Sequence, residues 1–182
     1  MEFAHEVEIV LLLASPIHRY EGRPSDGPLT GRGQETFESI EVRQGLGIVG
    51  DRFFGHRAHR EASVTLFAAE SLDFVESALG LDTAINPEVV RRNIVVRGID
   101  VDALTATPFS ITSDFATVHF QGHRPANPCA WMNEVIAPGA MKALRKRGGV
   151  RCEPLSSGRL RLGPAIVRAP LDPSLAASPA LF

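Results

Sequence analysis

Short runs of β-branched and aromatic residues, cut off at close intervals by Gly or Pro, limit this chain more than any other feature. Val7 to Ala14 is an apolar run of strand length. Ile40 and Val42 alternate with Glu41 and Arg43, as on a half-exposed strand, and Gly45, Gly47 and Gly50 then punctuate a tight segment ending in Asp51-Arg52. Further strands are predicted at Val64–Phe67, Ile94–Val96, around Phe109 and Ile111, around Val118 and Phe120, and at Val150–Leu155, Arg159–Leu162 and Ala165–Arg168. Helical spacing is rarer. Leu72, Val75, Ala78 and Leu79 recur at it and Gly80 supplies the stop, so a helix is predicted from about Ala69 to Leu79. Asn86-Pro87 opens a helical turn, and Gly139 to Lys146 reads as a second helix closed by Gly148-Gly149. Strands outnumber helices, and no internal repeat or linker interrupts them. The expected fold is one mainly β domain, a barrel or sandwich with few helices, rather than a doubly wound sheet.

The 182 residues suffice for one domain with a real core. A hydrophobic share of 44% and a charged share of 22% are those of an ordinary globular protein. The formal net charge of −2 implies no general affinity for nucleic acid or an anionic membrane. Two cysteines, Cys129 and Cys152, are too few for a disulfide scaffold, which favours a reducing, cytoplasmic compartment. The opening Met1-Glu-Phe-Ala-His-Glu lacks the basic stretch of a secretory signal, and the run Ile9 to Ala14 is too short to span a bilayer. Ala169 to Phe182, rich in Pro, Ala and Ser, reads as a loosely packed tail.

Cys129 is the residue with most chemical potential. In Asn127-Pro-Cys129, Asn127 is a good N-cap and Pro128 fits the first helical position, so Cys129 is predicted in the first turn of a helix running through Trp131 and Met132. Free N–H groups there stabilise a thiolate, and His123 and Arg124 could add positive charge. A thiolate is a nucleophile, a sulfur carrier or a metal ligand. Cys152, by contrast, sits in a predicted strand and reads as core.

Three other groups carry polar side chains in suggestive patterns. On the strand after Arg91-Arg92, Asn93 and Arg97 share a face with Val95, opposite Ile94 and Val96. That face offers an anionic or heterocyclic ligand an amide and a guanidinium fork, unless it is simply the solvated outside of a barrel. Lys142, Arg145, Lys146 and Arg147 end a helix, where cations suit the dipole; Arg147 beside two glycines could also let a phosphate or pterin approach the backbone. Asp51, His56 and His59 invite a metal, but their spacing matches no standard zinc pattern. The long connection from Ser15 to Gly33 is of a length that is usually functional, and could form a lid or part of a pocket wall.

In order along the chain, five segments resemble the MOSC domain, the family named for the C-terminal part of molybdenum-cofactor sulfurases. They are Gly47-Ile-Val-Gly-Asp-Arg52, Val64-Thr-Leu-Phe67, Arg92-Asn-Ile-Val-Val-Arg-Gly-Ile-Asp-Val-Asp-Ala-Leu104, Asn127-Pro-Cys129 and Arg147-Gly-Gly-Val150, followed by a Gly158-Arg-Leu-Arg-Leu-Gly163 hairpin. The resemblance runs from about Ala14 to Arg168. It implies a closed or partly open β-barrel of the pyruvate-kinase-barrel-like kind over residues 1–168, followed by the tail of residues 169–182.

The resemblance also implies a cysteine that carries activated sulfur or ligates molybdenum held by a pterin. Carried over by motif, Cys129 takes that role and Asn93, Arg97 and Arg147 become cofactor or anion contacts. Asp51 and His56 fall where relatives place polar residues near the site. Full sulfurases add a pyridoxal-phosphate-dependent desulfurase, for which this length leaves no room, so no pyridoxal phosphate is expected. The reading that follows is a molybdenum-cofactor protein, with oxo-transfer or reduction of N-hydroxylated small molecules as its activity. The alternatives are a carrier of sulfane sulfur and a non-catalytic binding module. An external cysteine desulfurase or a reductase is the implied partner, with neither nucleic acid nor membrane involved.

Overall fold

In a computed structural model, which describes residues 2–31 and 33–174, ten strands and three short α-helices follow one another. The strands are β1 (Phe3–Leu12), β2 (Ser39–Arg43), β3 (Gly47–Ile48), β4 (Val64–Ala68), β5 (Ile94–Arg97), β6 (Pro108–Ser113), β7 (Ala116–Pro125), β8 (Val150–Pro154), β9 (Gly158–Arg161) and β10 (Gly163–Ala169). The helices are α1 (Glu70–Leu79), α2 (Trp131–Val135) and α3 (Ala140–Ala143). Seven strands close a barrel in the order β1-β10-β6-β7-β8-β4-β5, and β3, β2 and β9 form a separate three-stranded sheet. The barrel rather than the sandwich is therefore realised. Its single parallel pair, β4 with β5, needs a crossover, and α1 supplies it.

Strand alternation builds two cores. Leu66 and Ala68 of β4 and Ile94 and Val96 of β5 fill the barrel, while Phe67 and Val95 point outward. The outward residues pack under Leu72 and Val75 of α1 and Trp131 and Met132 of α2. Both faces of these strands are buried, which is why their sequence is apolar without alternation. In β1, a register shift between Ile9 and Leu11 sends Ile9 and Leu12 into the barrel and Leu11 into the outer core. Cys152 of β8 is fully buried among barrel residues, and burial pushes its thiol far up.

Two helix expectations require correction. Asn127 does not cap a helix: α2 begins at Trp131, with Ala130 at its N-cap and no side-chain cap. Ala126 is still held to the Gly149 carbonyl as an extension of strand pairing, so the chain can turn only from Cys129 onward. At five residues, α2 also offers far less dipole than the predicted helix. The helix predicted from Gly139 to Lys146 shrinks to Ala140–Ala143, and Lys146 takes a left-handed turn at φ 61° before Gly148. Of the predicted tail, Asp172 pairs with His5 and the Pro173 carbonyl accepts from the Asp100 N–H; residues 175–182 lie outside those described. Among the described residues, no helix is long and apolar enough to cross a membrane.

Gly148 and Gly149 are required by packing. A Cβ on Gly148 would stand 2.3 Å from the Ala126 carbonyl oxygen, and one on Gly149 would stand 2.0 Å from that of Leu66. The space a ligand could have used against this pair is therefore filled by the chain's own backbone. Gly149→Ala combines this clash with a φ of +84° and should cost about 2–5 kcal/mol in urea unfolding. Gly55→Ala, with φ +71° but open space around it, should cost only about 1–2 kcal/mol.

Candidate functional site

The polar residues at the start of β5 open onto a cleft of about 280 Å³. The Ser15–Tyr20 stretch forms one wall, Asp51–Phe53 and Thr65 another, Arg91–Asn93 the floor, and Asn127–Trp131 the rim. Cys129 lies on that rim and is exposed. The first part of the Ser15–Gly33 connection, as far as Tyr20, is thus pocket wall. Tyr20 stacks on Trp131, with ring centroids 5.0 Å apart and planes 12° from parallel, and its hydroxyl donates to the Val89 carbonyl. Burial pushes the Tyr20 phenol up to about 12, so it remains a donor at neutral pH.

Glu35 anchors this wall from behind. Its carboxylate accepts from Ser15 Oγ, from Arg19 Nη2 at 2.8 Å and from Arg91 Nη1 at 3.1 Å. Burial opposes ionisation, yet these donors hold the carboxyl at about 2, against an ordinary 4.5. The side chain is 13% exposed, so little solvent screens it.

Asp51 and Asn93 meet inside the cleft. Asn93 Nδ2 donates to Asp51 Oδ2 at 3.0 Å and to the Leu13 carbonyl at 3.1 Å, while its Oδ1 accepts from Thr65 N–H and Oγ1. Asp51 also accepts from the N–H groups of Ser15 and Phe53. The amide is fully engaged in joining β1, β4 and the Asp51 turn. Its geometry is that of a positioning residue.

Arg92 lies deepest. Nε donates to the Gly148 carbonyl at 3.1 Å, Nη1 to that of Val90 at 3.2 Å and Nη2 to that of Ala126 at 2.7 Å. Burial, with Arg151 adding to it, lowers the guanidinium to about 10, still charged at pH 7. Among the described residues, neither Arg92, Arg52 nor Arg151 forms an ion pair, whereas Arg19 and Arg91 share the single carboxylate of Glu35. One carboxylate, Asp51, faces three uncompensated guanidinium groups. Such a cleft attracts anions.

The other residues singled out from sequence lie elsewhere. Arg97 shares its face with Asn93, but four residues along a strand separate them by about 13 Å. It pairs with Asp73 of α1 on the exposed outside, at 2.5 and 3.0 Å. Arg147 lies over the Phe74 ring at 4.2 Å, outside the cleft. His56 packs its ring on His59, 4.7 Å away, and does not line the cleft either. No group of three or more His, Cys, Asp or Glu side chains that could hold a metal occurs among the described residues. The sequence reading missed Arg52, Arg92 and Arg151 as cleft residues. Arg91-Arg92 directly before a buried strand was the available signal, because a charge at a strand's first residues sits on the barrel's end.

A seven-stranded barrel with an arginine-rich, thiol-bearing cleft at one end defines the class of this protein. Its sequence matches the MOSC domain pattern over residues 51–167, and the chain belongs to that family. The fold is similar to that of the YuaD protein from Bacillus subtilis, with a TM-score of 0.67 and 16% identity, covering 94% of this chain and 99% of that one. It is also similar to YiiM from Escherichia coli, with a TM-score of 0.58 and 12% identity over 94% of this chain and 73% of that one. YiiM from Geobacillus stearothermophilus gives a TM-score of 0.56 and 14% identity over 88% and 74%. No curated protein matches the sequence.

The Glu35 network makes a signed prediction. A depressed carboxyl stabilises the fold fully above its unfolded value near 4.5, and that contribution is lost as pH falls towards about 2. Glu35→Gln should cost roughly 2–3 kcal/mol at pH 7 in urea titrations. The gap between variant and parent should close as pH drops from 4.5 to 2. A gap independent of pH would contradict the ion-pair account.

Proposed function

We propose that the protein binds a molybdenum cofactor in this cleft through Cys129 and takes part in oxo-transfer or the reduction of N-hydroxylated small molecules. One observation carries the reading: an exposed thiol shares a cleft with three guanidinium groups that lack carboxylate partners. Association of MOSC domains with the molybdenum cofactor supports it.

The residues fit such a group chemically. Thiolate sulfur is a soft ligand suited to molybdenum, and arginine forks suit the phosphate of a pterin. Arg52, Arg92 and Arg151 take the anion-binding role that sequence alone gave to Arg97 and Arg147. Asn93 and Asp51 hold the floor in shape, and the Tyr20–Trp131 stack forms the side next to Cys129. His18, lowered by burial and then by Arg52, is neutral at pH 7 and can accept a proton at the cleft wall. When bound, the metal would supply two-electron oxo chemistry. A reductase is the partner this reading calls for, in a cytoplasmic setting.

Sulfur carriage is the second reading, favoured by the exposure of Cys129, which an external cysteine desulfurase could reach. Purification from a host that makes the cofactor separates the two. Molybdenum and pterin are expected near one per chain, and Cys129→Ser should lose at least tenfold of the molybdenum. Equal molybdenum in parent and variant contradicts ligation by Cys129. Metal-free protein that takes up radiolabelled sulfur on Cys129 favours carriage.

A further inference from the structure

Beside the thiol cleft lies a second groove of about 540 Å³, lined by Arg57, His59, Arg60, Ala62, Arg124 and Glu153 among others. Ala62 lines both cavities, and His59 in the groove packs its ring on Phe53 of the cleft at 4.7 Å. The two are therefore contiguous.

Charge distinguishes the groove. It holds two carboxylates against three arginines: Glu153 is already claimed by Arg60 at 2.6 Å and by His123 at 3.5 Å, while Glu61 is exposed and leaves the arginines in excess by one. Among the described residues, Arg57 and Arg124 form no ion pair. Arg124 stands directly opposite Arg151 in the β7–β8 register, next to a bulge between Gly122 and Arg124. Like charges facing each other across a ladder are destabilising, and bulges commonly re-aim side chains. One arginine of the pair faces the groove and the other faces the cleft. The field they set up reaches His59, which burial, His56, Arg151, Arg124 and Arg52 all push towards its neutral form.

We propose that this groove is a second anion site, built for a phosphate or diphosphate group and contiguous with the thiol cleft. Resting on the cofactor reading, it is where a second anionic group of the same ligand would lie. An exposed arginine fork binds phosphate oxygens without a buried ion's desolvation cost, and the Arg124–Arg151 repulsion would be relieved on binding.

Titration calorimetry with inorganic pyrophosphate tests this on the full chain, with Cys129→Ser and an Arg57→Gln/Arg124→Gln double variant alongside. Both arginines are exposed, so the double variant should fold, with a Tm equal to or above that of the parent. Pyrophosphate should bind parent and Cys129→Ser alike and raise the Tm of both. The double variant should lose the groove's site, binding pyrophosphate there at least tenfold more weakly, and show a smaller Tm response than the parent, the remainder coming from the cleft. Equal affinity in parent and double variant, or no binding to the parent, overturns the proposal. If pyrophosphate binds as stated while protein from a cofactor-making host carries neither molybdenum nor pterin, the groove stands and the cofactor reading fails.

Discussion

The buried guanidinium of Arg92 is the interaction on which the site depends. Its three donors reach the carbonyls of Val90, Ala126 and Gly148, so one side chain ties the entry of β5 to the segment leading to Cys129 and to the glycine pair before β8. Those carbonyls satisfy the donors without neutralising the charge. A carboxylate partner would have satisfied the donors and cancelled the charge, weakening the pull of the cleft on anions. The same group that fixes the position of the Cys129 segment therefore also sets the sign of the potential around it.

That arrangement places constraints on its surroundings. Ala126 and Gly149 must approach closely enough to pair, and only glycine at 148 and 149 leaves room for the carbonyls of Ala126 and Leu66. Behind the opposite wall, Glu35 pairs with both Arg19 and Arg91, which leaves Arg52, Arg92 and Arg151 as the cleft arginines without a carboxylate partner. The Tyr20–Trp131 stack then fastens the long connection to α2. Stability is concentrated behind the cleft and positive charge within it.

Much of the fold was legible because strand alternation and turn residues are local signals. β4 and β5 read as uninterrupted apolar runs since α1 and α2 cover their outer face, and Gly80 ends α1 in the left-handed conformation expected of a C-terminal glycine. The Asn127-Pro128 signal misled because strand pairing at Ala126 overrides a capping preference worth about 1 kcal/mol. At the site, Cys129, Asp51 and Asn93 line one cleft, while Arg97, Arg147 and His56 do not. Periodicity fixes the face of a strand but not which end of the barrel a residue reaches, and that end separates Asn93 from Arg97. The glycine pair could be read as a ligand cradle or as a close backbone contact; only the path of the chain through Ala126 and Leu66 decides for the contact.

The claim that uncompensated arginines make the Cys129 cleft an anion trap is tested most directly by comparing alkylation of Cys129 with iodoacetate and with iodoacetamide. The two reagents differ chiefly in charge. In the folded protein the iodoacetate-to-iodoacetamide rate ratio should exceed that of the urea-unfolded chain severalfold, and should fall towards it as salt rises through about 1 M. A folded-state ratio equal to or below the unfolded one, at low salt, would contradict the account.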